Sequence, residues 1–328
     1  MRALPVTPPC ADILGAGSSG LLHGLSIRAA GGRIGSVYDP DIERARALAS
    51  VLGARAVRDP TEVAQGDADV VCVASPPPWH VAQAVMVARS GRVVFVEKPL
   101  ALCPLDLRRL GDLPGVVPVV QWRRGRAALG LRAAFETGWF GPTPHLRFDV
   151  SWPRDDAYYF ARRRAVWGCG ALLSIGIHAV DLGLWALGAR AATDVRGAIG
   201  SETWTRSRVD VPTAAKLLVE TASGATLELR LSTDGTGPER TRVSLQGNGL
   251  RAQLLAGEAD PTTAPLIFSG PRAELLERHA RGLGGEHGPP LLVPYVAAAL
   301  DGDLVGVADV ALAHEIVFRV VAQSAARP

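Results

Sequence analysis

The sequence of 328 residues is poor in cysteine and contains no long hydrophobic run. Its four cysteines, Cys10, Cys72, Cys103 and Cys169, lie far apart and form no C-x-x-C pair. This spacing argues against both a disulfide framework and a metal knuckle. No apolar stretch approaches the roughly 18 residues that a membrane-spanning helix needs. We therefore expect a soluble cytoplasmic protein that binds no metal.

Lysine is also scarce: of the 35 basic residues, only Lys98 and Lys216 are lysines, and the others are arginines. The formal net charge of +3 is small and is spread along the chain. Without a basic stripe interleaved with aromatic residues, neither nucleic acid nor a membrane surface is an expected partner. Arginine cannot give up its proton and lysine can, so a retained lysine is a candidate for chemistry.

The pattern of apolar residues predicts two domains of different kinds. Over residues 11–118 short apolar strands alternate with helical segments, which predicts a parallel sheet covered on both faces. Beyond residue 121 alternating strands flank turn signals at Ser223-Gly224 and at Gly247-Asn248-Gly249, which is typical of antiparallel pairing. The predicted fold class is α/β, with a Rossmann domain at 1–120 and a domain carrying a large, open, mainly antiparallel sheet at 121–328. Residues 256–292 show no assignable pattern.

A glycine-rich turn follows the first predicted strand and opens a helix. It fits G-x-G-x-x-G, in which glycines allow a tight turn and a close approach of the backbone to a pyrophosphate. Asp39 ends the second strand, 24 residues after the first glycine, where an acid can bind the adenosine ribose hydroxyls. Because Pro40 and Asp41 follow instead of an arginine, we expect NAD in preference to NADP. The alternative is that Asp39 only caps the next helix. The turn residues assigned to the cofactor are Gly15, Gly17, Ser18, Ser19 and Gly20.

The triplet Glu97-Lys98-Pro99 follows the apolar run 93–96, and parallel sheets bind ligands at that end of a strand. Together with the glycine turn and the segment from Gly168 to Asp181, this triplet resembles the glucose-fructose oxidoreductase, inositol dehydrogenase and rhizopine-catabolism (Gfo/Idh/MocA) family. The resemblance runs nearly end to end. It implies an NAD(P)-dependent dehydrogenase or ketoreductase acting on a sugar, a cyclitol, a nucleotide-linked sugar or a similar small molecule.

The resemblance assigns catalysis to Lys98 and His178. A hydride leaves a C–OH group only as the hydroxyl proton is removed, and imidazole suits that exchange near neutral pH. An ammonium beside it can stabilise the developing alkoxide. Alone, His178 would be interpreted as a structural histidine. Further cofactor contacts are implied at Ser75, Pro76, His80, Glu97 and Lys98, and substrate contacts at Arg123, Tyr158, Trp167, Ser174 and Asp181.

Ser174 departs from the family pattern, which usually has an aspartate four residues before the histidine. Loss of that carboxylate favours reduction as the working direction, unless Asp181 takes its place. Two alternatives stay open: a redox-neutral enzyme that retains NAD for glycoside cleavage or epimerisation, and an NAD-binding regulator without catalysis. The resemblance also implies a homodimer or homotetramer.

Overall fold

The computed structural model describes residues 8–88, 92–155, 158, 170–200, 212–256, 264–281, 292–300 and 302–325. Trp167, one of the expected substrate residues, lies outside these ranges. The chain forms two compact units, one within Met1–Gln121 and Pro289–His314, the other within Trp122–Gly288 and Glu315–Pro328. The segment 289–314 thus groups with the first unit, whereas the sequence pattern placed it in the second domain.

The first unit contains a six-stranded parallel sheet in the order β3-β2-β1-β4-β5-β6. Every residue of β1 and β4 is buried, as expected for strands with helices on both faces. This sheet confirms the predicted Rossmann architecture. Its strands are β1 (Cys10–Leu14), β2 (Arg33–Tyr38), β3 (Arg55–Val57), β4 (Val70–Val73), β5 (Val93–Val96) and β6 (Val116–Pro118).

Helices connect these strands, and their ends carry the expected sequence signals. Asp41 caps the second helix by accepting hydrogen bonds from the main-chain N–H groups of Glu43 and Arg44, and Gly53 ends that helix in a left-handed conformation. The helices of this unit are α1 (Ser18–Ala29), α2 (Ile42–Leu52), α3 (Pro60–Gln65), α4 (His80–Ala88), α5 (Pro104–Gly111) and α9 (Leu292–Leu300), with α10 (Ala308–Ala325) up to His314.

The second unit contains a seven-stranded sheet in the order β13-β12-β11-β7-β10-β9-β8. All neighbouring pairs are antiparallel except β7 and β10, which are parallel, so the sheet is mixed but mainly antiparallel, as predicted. Its strands are β7 (His145–Ser151), β8 (Ala192–Gly200), β9 (Ala214–Thr221), β10 (Thr226–Ser232), β11 (Arg240–Gly247), β12 (Leu250–Ala256) and β13 (Ile267–Ser269).

One face of this sheet is buried beneath helices. Leu146, Phe148 and Val150 alternate inward along β7, as their spacing predicts. A Cβ at Gly183 would lie 2.5 Å from a Leu227 methyl group, so glycine allows the helix to approach the strands closely. The helices of this unit are α6 (Arg126–Glu136), a π-helical turn (Leu172–Gly176), α7 (Ile177–Ala186), α8 (Ala273–Arg281) and the rest of α10. Within the described residues, no helix is both long and apolar enough to cross a membrane.

The alternation of buried and exposed residues along β12 leads to a prediction about stability. Leu254 is 2% exposed, whereas its neighbour Leu255 is 63% exposed on the opposite face. Leu254→Ala should lower the free energy of unfolding by about 2–5 kcal/mol, because it leaves a cavity in the core. Leu255→Ala, the matched control, should change it by less than about 0.5 kcal/mol. Chemical denaturation of both variants measures this, and equal losses would contradict the register.

Candidate functional site

The glycine turn at the end of β1 is shaped by close backbone contacts. Gly15 has φ +110°, and a Cβ there would lie 2.7 Å from the main chain of Ala74. A Cβ at Gly20 would lie 2.0 Å from the carbonyl oxygen of Gly15. Gly17 differs from both, because a Cβ there would meet no atom of the described residues within 4 Å. Two of the three glycines are therefore required by the fold, and the third leaves open space beside the turn.

That open space lies at the start of α1 and suits the pyrophosphate of a dinucleotide. Its N-cap residue, Gly17, has no side chain that could cap the helix, and the first turn contains no acidic residue. Uncapped main-chain N–H groups and the positive end of the helix dipole favour a bound anion. Ser18 and Ser19 lie in this first turn, so the residues present fit NAD. When bound there, NAD would bring a nicotinamide that accepts or donates a hydride.

Asp39 links the glycine turn to the end of β2. Its carboxylate accepts hydrogen bonds from the main-chain N–H groups of Ala16, at 2.8 Å, and of Asp41, at 3.0 Å. The cap of α2 is Asp41. The alternative in which Asp39 only caps that helix is therefore wrong. Asp39 is half-exposed next to the turn, where the ribose of NAD is expected.

The loop after β4 contains Ser75, Pro76 and His80. The Ser75 hydroxyl donates to Gln83 Oε1 at 2.7 Å. His80 is buried, with Nδ1 2.9 Å from the carbonyl oxygen of Pro99 and Nε2 2.8 Å from that of Ser75. Burial lowers the pKa of His80 below its usual value. The ring therefore connects this loop to the residue that follows Lys98.

Glu97 and Lys98 leave the end of β5. The Glu97 carboxylate is buried, lies 3.1 Å from His23 Nε2, and accepts the main-chain N–H of Lys98 at 3.2 Å. Burial disfavours the charged form of His23, but the neighbouring Cys72 and Glu97 outweigh it and raise the pKa of His23 to about 10. The Lys98–Pro99 peptide bond is cis, and Lys98 is partly exposed between buried neighbours. The main-chain N–H of Lys98 is thus bound to a carboxylate that itself lies against His23.

In the second unit, His178 lies on α7 and is 7% exposed. Its ring stacks on Trp122, with centroids 4.7 Å apart and planes 16° apart. Trp122 contacts Trp152 edge-on at 6.0 Å, and the Arg154 guanidinium lies 5.5 Å from the Trp152 ring and 5.0 Å from that of Tyr158. Sequence reasoning missed Trp122 as a neighbour of the histidine, although it directly precedes Arg123.

Arg123 and Asp181 form a buried, bidentate ion pair. Arg123 Nε donates to Asp181 Oδ2 at 2.9 Å, and Nη2 donates to Oδ1 at 2.5 Å. Both side chains are less than a tenth exposed. Asp181 therefore has a guanidinium as its charge partner, one helical turn beyond His178. Ser174 is also buried, and its hydroxyl donates to the carbonyl oxygen of Gly170 at 2.9 Å.

Tyr158 lines a cavity of about 580 Å³ in the second unit. Arg154 lines the same cavity and connects it through Trp152 and Trp122 to His178. The structure thus brings Tyr158 into one continuous row of side chains with the histidine.

Two protein-family models match most of the chain. The model described as an oxidoreductase family with an NAD-binding Rossmann fold matches residues 11–114. The model of the GFO/IDH/MocA C-terminal domain matches residues 129–251. The chain belongs to the GFO/IDH/MocA oxidoreductase family. Its first unit contains the NAD-binding Rossmann fold of that family.

Individual members of the family show what the chain is similar to. Inositol 2-dehydrogenase 2 of Saccharopolyspora erythraea is 28% identical over 232 residues, which are 67% of this chain and 65% of that protein. Two other curated relatives match over only 22% and 27% of their own length. The chain thus covers less than two thirds of each of these relatives, so the activity and the substrate of the whole protein are left to be proposed.

Solved structures share the fold over almost the whole chain. The WlbA dehydrogenase of Bordetella pertussis, in complex with NADH and UDP-GlcNAcA, superposes with a TM-score of 0.80 at 22% identity, covering 97% of each chain. A myo-inositol dehydrogenase from Corynebacterium glutamicum has a TM-score of 0.74 at 17% identity, covering 98% of this chain and 97% of its own.

Within the glycine turn, one glycine is expected to matter for NAD binding and another for folding. Gly17→Ala should leave the melting temperature unchanged, since its Cβ meets nothing, yet weaken NAD binding by about tenfold or more by filling the space for the pyrophosphate. Gly20→Ala, the contrasting variant, should destabilise the fold by about 1–3 kcal/mol, because its Cβ clashes with main chain. Calorimetry and thermal melts measure both effects. Unchanged NAD affinity in Gly17→Ala would contradict the assignment.

Asp39 should set the preference for NAD. Asp39→Asn removes the charge that repels a 2′-phosphate, so the ratio of NADP to NAD affinity should rise by about tenfold. Asp41→Asn is the matched control, because it removes a charge two residues away and keeps a good helix cap. Calorimetric titration with both nucleotides measures the ratio. An equal shift in the two variants would show a general effect of charge rather than contact with the ribose.

Proposed function

We propose that this protein is an NAD-dependent oxidoreductase, a dehydrogenase or ketoreductase acting on a sugar, a cyclitol or a nucleotide-linked sugar. The observation that carries the proposal is the pair of candidate catalytic side chains. A lysine leaves the carboxyl end of β5 in the NAD-binding unit, and a buried histidine stacks on Trp122 in the other unit. Similarity to inositol 2-dehydrogenase 2 and to the WlbA dehydrogenase supports the choice of polyhydroxylated substrates.

In this proposal Lys98 and His178 act on one substrate. His178 gives a proton to the carbonyl oxygen during reduction, or takes it from the hydroxyl during oxidation. Lys98 stabilises the negative charge that develops on the same oxygen. Stacking on Trp122 restricts the imidazole to one plane, so its nitrogens need no reorientation during turnover.

We also propose that reduction is the working direction. Ser174 replaces the usual aspartate and turns its hydroxyl back to Gly170. Asp181, the possible replacement, has both carboxylate oxygens bound to Arg123. Neither position thus offers the histidine an unshared carboxylate, which favours proton donation over proton abstraction.

The experiment is a screen of cyclitols, sugars, nucleotide-linked sugars and their keto forms, followed by NADH absorbance with product analysis by mass spectrometry. We expect NADH to be consumed stoichiometrically with a keto compound. Product formed without net change in NADH would indicate the redox-neutral alternative. NADH binding without turnover on any member of the panel would count against the proposed substrate class.

Variants test the assigned roles on the substrate found. Lys98→Arg should lower kcat by about 10²- to 10⁴-fold, because arginine is bulkier and cannot release its proton. Lys216→Arg changes the other lysine, which is exposed on β9, and should have no effect. His178→Gln should show a loss of similar size to that of Lys98→Arg. Near-normal turnover in Lys98→Arg would leave the triplet a structural role only.

A further inference from the structure

Three of the chain's seven histidines surround one short segment, Glu97 to Leu100. They come from three helices: His23 from α1, His80 from α4 and His314 from α10. Their exposures are 0%, 1% and 2%. Buried imidazoles form their hydrogen bonds with protein groups, so each contact shows what the ring holds.

His314 holds the main-chain N–H of Leu100. Its Nε2 accepts from that group at 3.1 Å, while Nδ1 lies 3.0 Å from the carbonyl oxygen of Val310. Accepting at Nε2 requires a neutral ring with its proton on Nδ1, and Val310 provides the acceptor for that proton. The tautomer is therefore fixed by its two neighbours. The main-chain N–H of Leu100, just after Lys98 and Pro99, is in this way bound to helix α10.

His80 holds the carbonyl group of Pro99. Both of its nitrogens face carbonyl oxygens, of Pro99 and of Ser75, and a neutral imidazole can donate to only one of them. Burial favours that neutral form. The neutral ring thus donates one hydrogen bond, either to Pro99 or to Ser75, and lies at hydrogen-bond distance from both. The ring couples the loop after β4 to the segment after β5.

His23 completes the set from the side of Glu97. Its Nε2 lies 3.1 Å from one carboxylate oxygen, and the other oxygen accepts the main-chain N–H of Lys98. Each histidine thus contacts a different group of the segment. His23 contacts the Glu97 carboxylate, which binds the main-chain N–H of Lys98; His80 contacts the carbonyl group of Pro99, and His314 the main-chain N–H of Leu100.

We propose that His23, His80 and His314 are positioning residues that fix the main chain of residues 97–100 and thereby aim the Lys98 amine. The proposal rests on the catalytic role proposed for Lys98. A lysine side chain has a flexible four-carbon stem, so its direction depends on how firmly its main chain is held. Displacements of about 1 Å can reduce rates by about 10²-fold, which gives such anchoring a functional consequence. In His80 the anchoring proton is the one on Nδ1, donated to Pro99.

The test measures the reactivity of Lys98 and needs no substrate. Acetic anhydride is the probe, and mass spectrometry compares acetylation of Lys98 with that of Lys216, the only other lysine, in the same molecule. His80→Asn places an N–H donor where Nδ1 was, whereas His80→Gln places it where Nε2 was. His80→Gln therefore loses the hydrogen bond to Pro99, which should expose the Lys98 amine and make it react about two- to tenfold faster than in the wild type. His80→Asn keeps that hydrogen bond, so its Lys98 should react at the wild-type rate.

His314 gives a second matched pair. His314→Gln keeps an acceptor for the Leu100 amide and should leave the reactivity of Lys98 unchanged, whereas His314→Leu removes the acceptor and should increase it. Equal reactivity in His80→Asn and His80→Gln, or the reverse order, would overturn the proposal. Hydrogen exchange of the wild-type Leu100 amide is a check that needs no variant: slow exchange supports the anchoring, and fast exchange contradicts it.

These readouts separate the two proposals. Altered Lys98 reactivity together with full activity of Lys98→Arg would mean that the anchoring exists but the lysine is not catalytic. Unaltered reactivity together with an inactive Lys98→Arg would leave the proposed function intact and reject the role of the histidines.

Discussion

The site depends on a ladder of main-chain hydrogen bonds along the carboxyl edge of the parallel sheet. Just beyond the strand ends, Gly15 donates to Tyr38 at 2.8 Å, Ala74 donates to Leu14 at 2.8 Å, and Glu97 donates to Val73 at 3.0 Å. Because these bonds continue the strand order, the loops after β1, β4 and β5 have a fixed register. The glycine turn, the loop that contains His80 and the segment that carries Lys98 therefore meet at one edge.

Side chains with a proposed chemical role are held by neighbours that take no part in the chemistry. The main chain around Lys98 is anchored by buried histidines, and His178 is stacked on an indole. Two buried carboxylates have charged or ionisable partners, Glu97 next to His23 and Asp181 bound to Arg123. An unmatched buried charge would cost several kcal/mol, so these pairs allow polar groups to lie within the core of each unit.

The sequence predicted the elements whose signals are local. Strands β4 and β5 are unbroken apolar runs, β1 is apolar except for Asp12, and β7 alternates cleanly, so each carries its own local signal. Strand β8 was missed because ATDVRGAIG contains few large apolar residues, and only Val195 in it is buried. In the unassigned stretch 256–292, β13 has only three residues, and the amphipathic helix α8 lies between segments rich in glycine and proline that obscure its bounds.

Contacts between distant positions could not be predicted. Arg123 and Asp181 are 58 residues apart, and the contact between Leu100 and His314 spans 214 residues. Periodicity reports which face of an element is buried and does not identify the residue opposite. The same limit explains why residues 289–314 were placed with the second domain, although they belong to the first compact unit.

Hydrogen exchange of the whole protein with and without NAD tests the central claim most directly. If the carboxyl edge of the parallel sheet is the cofactor site, NAD should slow amide exchange in 15–20, 74–80 and 97–100 together. Ser223-Gly224, in the turn between β9 and β10, should exchange at the same rate in both states. Protection confined to the second unit, or absent from all three loops at saturating NAD, would contradict the account.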